Sequence, residues 1–182
     1  MRARTAGFFW LMTFLFGVVA MKVPGGTGNA ANLAATACYA AATLLVYDLL
    51  KPVNRNVSLL AALFSLTGCT LAVLNGLFRL GPLTSNVTFL FFGLHCFLVG
   101  FLILGSTFLP RIVGALMVFA GLGWLTMSLA NLLSPPFGRS LSPYIMLPGM
   151  LGEASLTLWL LVFGVNVPRW KEQAARAAKE RP

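Results

Sequence analysis

Six long apolar segments constrain this chain more than any other feature. They cover approximately residues 6–23, 30–50, 57–78, 86–108, 112–133 and 144–165. About 20 apolar residues in an α-helix cross the hydrocarbon core of a bilayer. The segments do not alternate in polarity, as the strands of a membrane barrel would. The sequence therefore predicts an all-α, polytopic membrane bundle of about six transmembrane helices.

Short turns rich in proline and glycine separate the segments, as at residues 24–26, 51–54, 81–82, 110–111 and 134–138. Such short connections place each helix antiparallel to its neighbour, so we expect helical hairpins. Only 9% of the residues are charged, against about 25% in soluble domains. We therefore expect one membrane domain over residues 1–167. A basic tail over residues 168–182 is expected to form a short interfacial or solvated helix.

The net charge of +9 comes from residues at the segment ends and in the tail. This distribution favours lipid headgroups as the anionic partner and argues against nucleic acid. Basic residues collect on the cytoplasmic side of membrane proteins. The split predicts a multi-pass protein with both termini in the cytoplasm. Ten basic residues lie on one side and three on the other (Arg2, Arg4, Lys51, Arg55, Arg111, Arg169, Lys171, Arg176, Lys179 and Arg181 against Lys22, Arg79 and Arg139). The alternative is a cleaved signal peptide that ends near Ala20, but retention of the first segment matches an even number of spans.

Polar residues form a stripe along one helical face of the second segment. Weaker stripes follow the third and fifth segments. Two interpretations stay open: the stripes pack helices against each other, or they line a polar cavity that opens outward. The residues are Asn32, Thr36, Tyr39, Thr43 and Tyr47 in the second segment, Ser65, Cys69, Ala72 and Asn75 in the third, and Trp124, Ser128 and Asn131 in the fifth.

Three ionisable residues are predicted to lie in the membrane. Asp48 is one turn from Lys51, which predicts an interfacial ion pair. His95 and Glu153 are deeper, and each follows the start of its segment by nine residues, as Tyr39 does. We expect these three side chains at one level, facing the interior. His95 and Glu153 then either contact each other or bond separately to neighbouring helices.

Motifs for catalysis or for cofactor binding are missing from the sequence: it has no HExxH, GxSxG, P-loop or dinucleotide fingerprint. A single histidine and three separated cysteines do not form the usual metal motifs. We therefore expect no metal and no cofactor, with Cys38, Cys69 and Cys96 as packing residues, and the missing motifs argue against an enzyme without excluding one.

Several stretches resemble a bacterial membrane family, the domain of unknown function 4386. The resemblance implies an all-helical integral membrane fold and a place in the bacterial inner membrane, and it brings no reaction with it. The connections after the first and third segments are shorter here than is typical of that family. The similar stretches are residues 6–11, 47–55, 91–96, 100, 106–114, 152–153 and 158–166.

Three hypotheses on function remain. The first is a structural or regulatory bundle that interacts with lipids, with another membrane protein or with a second copy of itself. The second is a small transporter or ligand-binding bundle with a polar interior around Glu153. The third is an intramembrane enzyme that uses His95 and Glu153.

Overall fold

The computed structural model describes residues 2–179, apart from the side chain of Pro143. It confirms the all-α class, and six of its helices are long and apolar enough to cross a membrane. The described chain forms α1 (Arg2–Lys22), α2 (Gly26–Leu50), α3 (Arg55–Phe78), α4 (Pro82–Leu104), α5 (Arg111–Leu133), α6 (Pro135–Val162) and α7 (Val167–Lys179).

Helices α1 to α6 form a closed ring in which each packs on its chain neighbour and α1 packs on α6. The ring has no open centre, because large side chains such as Trp10, Met117 and Leu160 fill it. Many apolar side chains instead point outward; Phe101 and Phe119 are 60% and 65% exposed. Monomeric soluble proteins rarely expose so large an apolar surface, whereas lipid tails would cover it.

The start of α1 and the end of α6 lie at one face of the six-helix ring, which we call the basic end. There Arg2 lies 3.4 Å from Asp48, Arg4 donates to the carbonyl of Val162, and the Asn166 amide donates to the carbonyl of Phe108. The tail helix α7 lies across the same end, where the Trp170 indole donates to the Leu49 carbonyl at 2.9 Å.

Helices α1, α2 and α4 begin four residues before the expected boundaries, and α6 begins nine residues before its boundary. Helix α2 begins at Gly26 because Gly25, with a φ of 85°, completes the turn. The stretch 134–138 was expected to be a connection, but α6 begins at Pro135 and runs for 28 residues. Proline is tolerated in the first helical turn, where its missing N–H would have no partner. The chain therefore reverses at Ser134 alone.

Glycines set the spacing between α4 and α5. A Cβ built on Gly100 would lie 2.5 Å from the backbone nitrogen of Val118, and one on Gly121 would lie 2.5 Å from that of Phe97. The two backbones are therefore in direct contact, as small residues allow between membrane helices.

Candidate functional site: a carboxyl held by two indoles

The Glu153 carboxyl lies inside the ring on α6 and is 7% exposed. Trp10 of α1 donates its indole N–H to Oε2 at 3.1 Å, and Trp124 of α5 donates to Oε1 at 2.8 Å. A buried polar group costs free energy unless it is hydrogen-bonded, and here each carboxyl oxygen has a donor. The contacts also join three helices of the ring at one point.

The Tyr39 hydroxyl and the Cys96 thiol also lie close to this carboxyl. The Tyr39 oxygen is 3.9 Å from the Cys96 sulfur. Helices α2 and α4 supply these two residues. Five of the six ring helices thus contribute to the group that we call the carboxyl centre: Trp10, Tyr39, Cys96, Trp124 and Glu153.

His95 borders the carboxyl centre and is 1% exposed. Its Nδ1 lies 2.9 Å from the carbonyl oxygen of Ala61 on α3. A carbonyl only accepts, so Nδ1 carries the hydrogen of this bond. Nε2 is buried without a hydrogen-bond partner in the described chain. The imidazole therefore makes no hydrogen bond to Glu153, and of the two arrangements expected, each residue has its own partners.

Trp10 connects the three residues that were expected at one level. Its ring centroid is 5.6 Å from that of Tyr39 and 6.2 Å from that of His95, and its N–H binds Glu153. The structure thus brings Tyr39, His95 and Glu153 together around one indole.

Tyr39 and Trp124, from two of the polar stripes, belong to the carboxyl centre, and the other stripe residues bond elsewhere. Thr43 is 2.6 Å from Ser65 between α2 and α3, and Thr36 bonds within its own helix to Asn32. These contacts support the packing interpretation for the residues outside the carboxyl centre, since their polar atoms are used within a helix or between adjacent helices. The stripes of α3 and α5 behave similarly: Asn75 donates to Ser85, Ser128 to the carbonyl of Asn86, and Asn131 to Ser142.

Asp48 and Lys51 lie at the basic end, with Lys51 Nζ 2.6 Å from the carboxylate. Arg2 is a second partner of Asp48, at 3.4 Å. Sequence spacing identified the first contact and missed the second, because Arg2 is 46 residues away.

The sequence analysis also missed Trp10 as a site residue. A signal was present: tryptophan is enriched at membrane interfaces, where its N–H meets water or headgroups. A tryptophan deep in an apolar segment requires an acceptor, and Glu153 is one of few available there.

The interior around His95 is tightly packed. A crevice lined by Thr43, Ala61, His95 and Leu102 is too narrow to hold a water molecule. Within residues 2–179 there is also no group of three or more histidine, cysteine or acidic side chains that would hold a metal ion. The hydrogen bonds that the Glu153 carboxyl accepts in this packed interior come from Trp10 and Trp124.

Comparison with known proteins places this architecture in a family. The family described as "Domain of unknown function (DUF4386)" matches residues 83–164. An uncharacterized protein of Archaeoglobus fulgidus is 31% identical over 127 residues, which cover 65% of this chain and 72% of the relative. This chain belongs to the DUF4386 family.

The DUF4386 match contains Cys96, Trp124 and Glu153 of the carboxyl centre, whereas Trp10 and Tyr39 lie before it. The expected resemblance is thus confirmed, and the archaeal relative shows that similar proteins occur outside bacteria. No solved structure matches the chain.

Proposed function

We propose that this protein is a multi-pass membrane protein with a structural or regulatory role, which acts through its lipid-facing and partner-facing surfaces. The observation that carries the proposal is the closed carboxyl centre. Both oxygens of Glu153 accept hydrogen bonds from Trp10 and Trp124 inside a filled ring, so the packed helices would have to separate before a ligand reached the carboxyl. The use of most stripe residues for contacts within a helix or between adjacent helices supports the same view.

A small binding or transport bundle is the second candidate. His95 Nε2 is the feature that favours it. This buried nitrogen has no partner in the described chain, so it could accept a hydrogen bond from a ligand or bind a proton. Such a protein would have to open a path from water to the carboxyl centre during its cycle.

The native cysteines test whether such a path opens. Cys96 and Cys69 are 0% and 5% exposed and lie within α4 and α3. The proposal predicts that both stay unlabelled for hours with a charged methanethiosulfonate reagent in proteoliposomes. The masses of peptides after digestion would follow labelling of each cysteine, and labelling in SDS gives the full signal.

A Ser140→Cys variant is the positive control, because Ser140 is exposed in the first turns of α6, at the end opposite the basic end. It should label within minutes. Steady labelling of Cys96 in the native protein would contradict the closed interior and support the transport alternative.

A further inference from the structure

A cavity of about 680 Å³ lies at the basic end, between α7 and the connection from α4 to α5. Three arginines line it: Arg111 at the start of α5, and Arg169 and Arg176 on α7. Glu172 is the one acidic residue in the lining. The cavity therefore has a formal charge of +2, from three guanidinium groups and one carboxylate.

These guanidinium groups are free to bind an anion. Both ion pairs within residues 2–179 belong to Asp48, so none of the three arginines has a carboxylate within 4.0 Å in the described chain. Arg169 makes one long contact, 3.5 Å to the carbonyl of Thr107. Guanidinium groups bind phosphate oxygens strongly because they present several N–H donors in one plane.

Helix α7 is fixed in place by bonds to the α4–α5 connection. Gln173 accepts from both the amide and the hydroxyl of Thr107 at 3.0 Å, and its own amide donates to Gly105. Trp170 anchors the start of the helix on Leu49. The side of α7 that carries these residues is half-buried, which holds Arg169 and Arg176 beside the cavity.

A second cleft of about 400 Å³ adjoins the charged cavity and shares Thr107, Leu109 and Arg169 with it. Trp159 and Phe163 line this cleft with ring centroids 4.5 Å apart, and Phe163 is 66% exposed. A cationic cavity thus continues directly into a cleft with an aromatic wall where α5 begins and α6 ends.

We propose that these two cavities together bind one anionic phospholipid, with its phosphate at the three arginines and an acyl chain along Trp159 and Phe163. A free phosphate shares the headgroup chemistry, but it would leave the aromatic wall of the adjoining cleft unused. The inference rests on the proposed function only in placing the basic end at a membrane surface.

Equilibrium binding to the purified full-length protein, in detergent free of phospholipid, tests this proposal. The probes are phosphatidylglycerol, phosphatidylcholine and inorganic phosphate. We expect phosphatidylglycerol to bind in preference to phosphatidylcholine, and millimolar phosphate not to displace it. Equal affinity for the two lipids would overturn the proposal, and full displacement by phosphate would overturn the lipid as the ligand.

Charge variants locate the site. Each of Arg111→Gln, Arg169→Gln and Arg176→Gln should weaken phosphatidylglycerol binding about fivefold, as expected for one basic residue near an anionic lipid. The matched control is Arg55→Gln, exposed at the same end but outside the cavity lining. An equal loss in the control would show a general surface potential and contradict a defined site.

Two further variants test the site while leaving all three arginines in place. Glu172→Gln removes the opposing charge and should tighten phosphatidylglycerol binding. Phe163→Ala should weaken binding of the lipid and leave binding of inorganic phosphate unchanged. Unchanged lipid affinity in both would overturn the proposal. The proposed function fails separately, by labelling of Cys96.

Discussion

Replacing Glu153 with leucine is expected to lower the free energy of unfolding by about 2–6 kcal/mol. Leucine fills similar space, but it leaves the N–H groups of Trp10 and Trp124 buried without an acceptor, at about 1–3 kcal/mol each. Glu153→Gln keeps one acceptor oxygen and turns an NH₂ group toward the other indole, so its loss should be about half as large. Circular dichroism during titration with SDS measures both.

A combined variant provides the control for this experiment. Trp10→Phe and Trp124→Phe, added to Glu153→Leu, remove the two donors together with their acceptor. Because removing both partners of a hydrogen bond costs far less than orphaning one, this variant should recover much of the lost stability. If Glu153→Leu alone were as stable as the native protein, the carboxyl centre would not hold the ring together.

Replacing Gly100 with alanine is expected to lower the free energy of unfolding by about 2 kcal/mol, within the range for overpacked cores. The new methyl group would lie 2.5 Å from the backbone nitrogen of Val118 and 2.8 Å from the carbonyl oxygen of Gly114. Backbone atoms cannot rotate away as a side chain does, so α4 and α5 must separate. The same SDS titration measures the loss.

Gly17→Ala is the matched control, because a Cβ at Gly17 on α1 would meet nothing within 4 Å. Alanine stabilises a helix interior by up to about 1 kcal/mol relative to glycine, so this variant should be neutral or more stable. Equal losses at Gly17 and Gly100 would contradict direct backbone contact between α4 and α5.

The sequence alone was sufficient to predict the fold class. Apolar runs of membrane length leave few alternatives to a helical bundle, and proline and glycine mark most of the turns. The start of α6 was the exception, because Pro135 and Pro136 are typical both of a loop and of a first helical turn. Local sequence does not distinguish these two cases; the packing of α6 on α5 does.

The carboxyl centre could be predicted only in part. Depth along the segments correctly grouped Tyr39, His95 and Glu153, since helix rise converts residue number into distance. Rotation of each helix about its axis decides which side chains touch, and this depends on ring packing. The bond from Trp10 to Glu153 joins residues 143 positions apart, and no local pattern encodes such a contact.

The basic end shows a similar division. Charge asymmetry indicated that the start of α1 and the end of α6 share one face, and the tail was expected to be helical. The way in which Gln173 and Trp170 fix α7 against the bundle depends on contacts to Thr107 and Leu49. The arginine-lined cavity arises from that docking and therefore could not be anticipated from the tail sequence.

Exchange of the indole N–H groups tests the closed carboxyl centre most directly. The chain has four tryptophans, and in protein labelled with ¹⁵N-tryptophan each gives one indole signal, assigned by single Trp→Phe variants. After transfer to D₂O, the signals of Trp10 and Trp124 should decay at least about 100-fold more slowly than that of Trp170 at the basic end, because their exchange requires the core to open. Glu153→Gln should shift those two signals and leave the Trp170 signal in place. Exchange of Trp10 and Trp124 as fast as that of Trp170 would contradict a dry interior closed around Glu153.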